Sequence, residues 1–176
     1  MSETKTVVKF IQPPSNLHQK QKMAGVSMNL DARMIDSAEK VIQASAGDYF
    51  ISVNQELARL QKRYEEAAND PESRPMQIEE IHAIAQSVAG QGASFGYPLL
   101  TAIATQLCHY IEDHVFPVAG ARGVTDPELE VVKVHNEAMR LVVTQKMAGD
   151  GGPIGSKLVG GLGLVIKKVT GTAPGA

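Results

Sequence analysis

Few side chains in this sequence can do chemistry at neutral pH, and the histidines are the first to place. His82 and Gln86 stand four residues apart in Ile-His-Ala-Ile-Ala-Gln, which puts them on nearly the same face of a helix. An imidazole near its ordinary pKa offers a ring nitrogen with a free lone pair, the requirement for accepting a phosphoryl group. A glutamine amide delocalises its nitrogen lone pair and has none to offer. His109, Asp113 and His114 form a second polar cluster. No His-Glu-x-x-His pattern accompanies it, and Glu112 beside it reads as an ordinary solvated residue, so no metal is expected. His135 shares the stripe of Val132, Met139 and Val142, the setting of a hydrogen-bonded core histidine. Cys108 is in phase with Ile103, Leu107 and Ile111 and reads as a small buried hydrophobe rather than a nucleophile. Gly151 to Lys157 reads Gly-Gly-Pro-Ile-Gly-Ser-Lys. This inverts the Gly-Lys-Ser/Thr order of a phosphate loop and follows a helix instead of a strand, so nucleotide binding is not expected. The expectation is no cofactor and no enzymatic activity.

The elements that must position these residues are helices. Residues 1–28 form an N-terminal arm whose Val7, Val8, Phe10 and Ile11 end at Pro13-Pro14, with Phe10 and Ile11 available for docking. Asp31 is a candidate cap for a first helix carrying Met34, Ile35, Ala38, Val41 and Ile42, which Gly47 is expected to stop. Phe50, Val53, Leu57, Leu60, Tyr64 and Ala67 alternate steps of three and four and predict a second helix, ended by Asn69-Asp70-Pro71. A third runs from about Met76 to Val88 and breaks in Gly90-Gln91-Gly92-Ala93-Ser94, with Phe95-Gly96 as a turn. A fourth follows Pro98 and ends near Pro117. Thr125-Asp126-Pro127-Glu128 opens a fifth that ends around Gly149. Ile154, Leu158, Leu162, Val165, Ile166 and Val169 keep helical spacing through a glycine-rich end, which should lie on the bundle.

Composition agrees with this reading. A chain of 176 residues is the length of one domain. Its 43% hydrophobic residues are mostly Ala, Leu, Ile, Val and Met, aromatic residues make up 5%, and Trp is absent, which suits helix packing better than a sandwich or barrel. We expect an all-α, up-and-down antiparallel helical bundle over 29–149, with 150–176 as a glycine-rich helix and tail. A net charge of -2 lacks the footprint of nucleic-acid binding. A single cysteine, no basic start followed by an apolar run and no long uncharged stretch point to a cytoplasmic protein that does not span a membrane.

Residues 78–112 resemble the core of histidine phosphotransfer (HPt) domains, whose motif is His-x-Leu/Ile-Lys/Arg-Gly-small-small, then an apolar residue and Gly. The resemblance implies a four-helix core in which an exposed mid-helix histidine takes a phosphoryl group from the aspartate of a receiver domain and passes it on. Matched on Gly96, the acceptor column falls on Gln86, Val88 fills the apolar position and Ala89 replaces the usual Lys or Arg. Gly90 supplies the glycine one turn after the acceptor, and Gly92-Ala93-Ser94-Phe95-Gly96 the small-residue turn. Gln86 falls about 130° from the centre of the stripe of Ile78, Ile81, Ala85 and Val88 and should be exposed.

The resemblance therefore implies a scaffold that docks a receiver domain, of a response regulator or hybrid histidine kinase, through Gln86, Ala89, Gly90, His82 and Ala93, without phosphorylation at the usual position. Phe95 and Gly96 would form the structural turn. Two alternatives stand beside it. His82 could be a displaced acceptor, although it also reads as a boundary histidine at the core edge. The bundle could instead be a scaffold unrelated to phosphorelay that binds through its glycine-rich last helix.

Overall fold

Amphipathic spacing produces six helices, with no strand among the described residues, in a computed structural model that describes residues 32–171. The helices are α1 (Ala32–Asn69), α2 (Arg74–Gly92), α3 (Pro98–Tyr110), α4 (Phe116–Arg122), α5 (Asp126–Thr144) and α6 (Gly152–Thr170). A 3-10 turn, Ala93–Phe95, follows α2, and a π turn, Ile111–Val115, joins α3 to α4. The architecture is an all-α helical bundle. A compact unit begins at Val41; the arm at 1–28 lies outside the described residues, as does Asp31.

The expected break at Gly47 does not occur, because α1 runs unbroken from Ala32 to Asn69. A glycine inside a helix keeps its backbone donor and costs only about 1 kcal/mol against Ala, too little to interrupt two helical segments. The expected apolar stripe of the first segment is also incomplete, since Ile35 and Val41 are exposed. Further along α1 the pattern holds: Val53, Leu57, Leu60 and Ala67 are buried, and Phe50 and Tyr64 pack partly against them.

The core joins these residues to Ile78, Ile81, Ala85 and Val88 of α2, Leu100, Ile103 and Leu107 of α3, and Val132, Met139 and Val142 of α5. Each fully buried Leu- or Ile-sized side chain contributes roughly 1.5–3 kcal/mol of transfer free energy. Arg74 ties the ends of three elements together. Its guanidinium donates to Ala67 O and Val124 O, each at 2.9 Å, and pairs with Asp126 Oδ1 at 2.7 Å. Helix α5 starts where its sequence predicts, and a capping box closes that start, with Glu128 Oε2 accepting from Thr125 N and Thr125 Oγ1, both at 2.8 Å.

Pro117 was expected near the end of the fourth helix, yet helical backbone continues past it to Arg122. A proline has no N–H to give to the carbonyl four residues back, and its ring presses on that carbonyl. The chain resolves the conflict by widening the turn before the proline, and Phe116 N–H bonds Ile111 O five residues back. Ile111 and Val115 stay buried through this turn.

The glycine-rich helix α6 lies against α3 and α5. Its seat is tight at Gly155, where a Cβ would collide with the Asp150 carbonyl oxygen and come within 3.2 Å of Leu99. Only Gly155 and Leu162 are buried, however, and Ile154 is 68% exposed although its spacing placed it on the packed stripe.

Candidate functional site

Helix α2 carries the residues singled out by sequence, and its packing decides which face they share. Ile78, Ile81, Ile84, Ala85 and Val88 point into the core, which turns Gln86 outward as the wheel predicts and leaves Gly90 exposed as well. Ala93 in the 3-10 turn is exposed as well, whereas Ala89 is half-buried. At Gly90 a Cβ would meet no atom within 4 Å. The surface there is open backbone, one turn beyond an exposed amide.

Gly92 has a different role. A Cβ there would lie 2.7 Å from Thr101 Oγ1 and 3.1 Å from Tyr97 O. Its missing side chain lets α2 approach the start of α3, and Thr101 Oγ1 donates to Ala89 O at 3.1 Å across the same contact. The Phe95-Gly96 turn forms as expected. Gly96 adopts a φ of 82°, a region that favours glycine. Phe95 stacks on Tyr49 with ring centroids 4.4 Å apart. Gly149 N donates to Gly96 O at 2.8 Å and Leu99 N to Gly149 O at 3.2 Å, which ties the turn to the segment leaving α5.

His82 sits at the core edge, its side chain 13% exposed. Its Nε2 lies 2.8 Å from Glu112 Oε1 on the π turn, and the Phe116 ring covers it edge-on at 5.1 Å. A carboxylate can only accept, so His82 Nε2 carries the proton and donates it. That nitrogen then has no lone pair for the Gln86 amide 3.4 Å away, and Gln86 Nε2 donates instead to Glu112 Oε1, also at 3.4 Å. The exposed face of α2 is thus bordered by a negative charge and by Phe116, itself 38% exposed.

Sequence reasoning missed Glu112 and Phe116 and set Glu112 aside as a solvated residue. Pro117 was the available signal, since a proline inside an apolar helical pattern announces a local change of register that redirects the residues before it.

The other candidates lie elsewhere. His135 is fully buried, its Nδ1 donating to Val131 O at 2.7 Å while Nε2 has no partner. Burial pushes its pKa down against the opposing effect of that hydrogen bond. Burial, with the charge of Glu112, raises the Cys108 thiol to about 11. At neutral pH it stays protonated and weakly nucleophilic. His109, Asp113 and His114 line a cleft between α3 and α6 with Gln106 and Tyr110. Among the described residues no three His, Cys, Asp or Glu side chains converge as a metal site would require.

No helix among the described residues is long and apolar enough to cross a membrane. With this geometry the chain defines an all-α helical bundle presenting one open polar helix face. No family model matches the chain, and no curated protein or solved structure matches it either.

Proposed function

We propose that this protein is an HPt-like docking protein of a phosphorelay, which presents the Gln86–Gly90 face of α2 to a receiver domain and is not phosphorylated there. The observation that carries the reading is the open backbone at Gly90, one turn from exposed Gln86, near the C-terminal end of α2. A flat helix surface without a projecting side chain admits a partner's helix closely. Gln86 in the acceptor column supplies no nucleophilic nitrogen, and Ala89 supplies no cation for a transferred phosphoryl group. Binding would sequester or modulate the receiver. A cytoplasmic location accompanies this reading.

The alternative acceptor His82 is disfavoured by its surroundings. Its Nε2 is held by Glu112, and that carboxylate repels an incoming phosphoryl group.

The experiment is a titration against a panel of receiver domains encoded by the same genome, each phosphorylated with acetyl phosphate. At least one binds wild type and none leaves acid-labile phosphate on it. Gly90→Arg should abolish that binding by steric overlap while helix stability is kept or improved, since Arg is a better helix former than Gly. Unchanged binding of Gly90→Arg removes this face as the interface. Absence of binding by every receiver removes the phosphorelay reading and leaves a scaffold bundle.

A further inference from the structure

Helix α6 is more apolar than its packing accounts for. Between it and α5 lies a groove of about 460 Å³ floored by Val134, Ala138, Leu158 and Leu162 and rimmed by Leu141, 47% exposed. Its two walls carry opposite charges, Glu137 on α5 and Lys157 on α6. Each side chain lacks an ion pair among the described residues, unlike Arg59 or Arg63 of α1. Gly160 and Gly161 leave open backbone beside the groove, where a Cβ would meet nothing within 4 Å.

We propose that this groove is the contact between two copies of the chain, related by a two-fold axis, with Glu137 of each copy paired to Lys157 of the other. The charge pattern selects this occupant. A two-fold contact brings one patch against itself, so charges within it are compensated only when both signs are present and placed so that rotation exchanges them. A groove with one acidic and one basic wall meets that condition. Leu141 from each copy would then enter the other's groove, where Gly161 offers no side chain in its way. The surface involves α5 and α6 and not α2, so the proposal stands or falls independently of receiver docking.

Sedimentation velocity of the full chain over a concentration series tests it. Wild type should dimerise reversibly with a dissociation constant on the order of micromolar, as for a contact of modest size. Glu137→Lys and Lys157→Glu each place two like-charged pairs across the axis and should weaken the dimer by about 100-fold. The combined Glu137→Lys, Lys157→Glu variant should regain affinity to within about threefold of wild type, because the swap restores both pairs. Both residues are surface side chains, and circular dichroism of each variant verifies that the bundle is intact. A wild type that stays monomeric at about 200 μM overturns the proposal. A dimer indifferent to both single reversals, or not recovered by the swap, overturns it equally.

Discussion

Glu112 Oε1 lies 2.8 Å from His82 Nε2 although 30 residues separate them, and the π turn before Pro117 brings them together. The pair is partly solvated, with the Glu112 side chain 40% exposed, so its role is to fix a proton and a charge on the face rather than to hold the fold. Exposed pairs of this kind contribute about 0–1 kcal/mol. Glu112→Gln should therefore leave the unfolding free energy within about 1 kcal/mol of wild type by chemical denaturation. A loss several times larger would make the pair a structural element.

The two glycines at the end of α2 should respond in opposite directions to alanine. Gly90→Ala meets no neighbour and should stabilise by a few tenths to about 1 kcal/mol, through helix propensity and lower unfolded-state entropy. Gly92→Ala sets a methyl 2.7 Å from Thr101 Oγ1 and 3.1 Å from a backbone oxygen that cannot yield easily. A cost of about 1–3 kcal/mol is expected from such overpacking. Paired thermal melts of the two variants decide it.

Much of the helical order could be read from residue spacing because the core is built from long apolar periods. Val53, Leu57 and Leu60 in α1, and Val132, Met139 and Val142 in α5, are buried where that period puts them. Thr125, Pro127 and the acids beside them announced the start of α5 through chemistry that acts within one turn. Gly47 misled because a local propensity of about 1 kcal/mol was weighed against a helix whose continuation rests on both flanks. The site was half legible. Gln86 follows from phase along one helix and Gly90 from the resemblance to the HPt motif, but Glu112 and Phe116 reach His82 only after a register change in another. Ile154 kept helical spacing yet stays exposed, since spacing cannot say how much of a terminal helix finds a partner surface.

Stability should fall in acid in two steps with different owners. His135 is buried with Nε2 lacking a partner, so its folded pKa lies below the unfolded value of about 6.5. Its stabilising contribution is then complete above about pH 6.5 and is lost as pH falls below it, because the unfolded chain binds the proton more readily. His135→Leu should flatten the dependence between about pH 6.5 and 5 in urea titrations at fixed temperature.

Glu128 owns the second step. Burial alone would raise its pKa, but hydrogen bonds from Arg122 at 2.7 and 3.1 Å and from Thr125 outweigh that, and the net shift is downward. Its contribution is present above the unfolded value of about 4.3 and is lost as pH falls through the depressed folded value. Glu128→Gln should remove that limb of the profile and cost about 1–3 kcal/mol at neutral pH, measured by the same titrations.

Restoring an acceptor requires attention to Glu112 as well as to Gln86. Gln86→His places an imidazole one turn after His82, and Ala89→Lys adds a cation on the neighbouring position. The Gln86 amide nitrogen already lies 3.4 Å from Glu112 Oε1, so the new ring would lie against that carboxylate. A fixed negative charge about 4 Å from an arriving phosphoryl group costs roughly 1–4 kcal/mol at the effective dielectric of a protein surface. The double variant should therefore accept phosphate slowly, and adding Glu112→Gln should speed labelling about tenfold or more. Acid-labile, base-stable phosphate after incubation with a phosphorylated receiver is the readout, and the double and triple variants are both made on a His82→Ala background, which silences the resident histidine. Equal rates with and without Glu112 would show that its charge is screened from the acceptor position. A triple variant that binds the receiver but never takes label would show that the Gln86 face docks out of line with the receiver's aspartate, and the HPt likeness would then extend to the shape of the helix and no further.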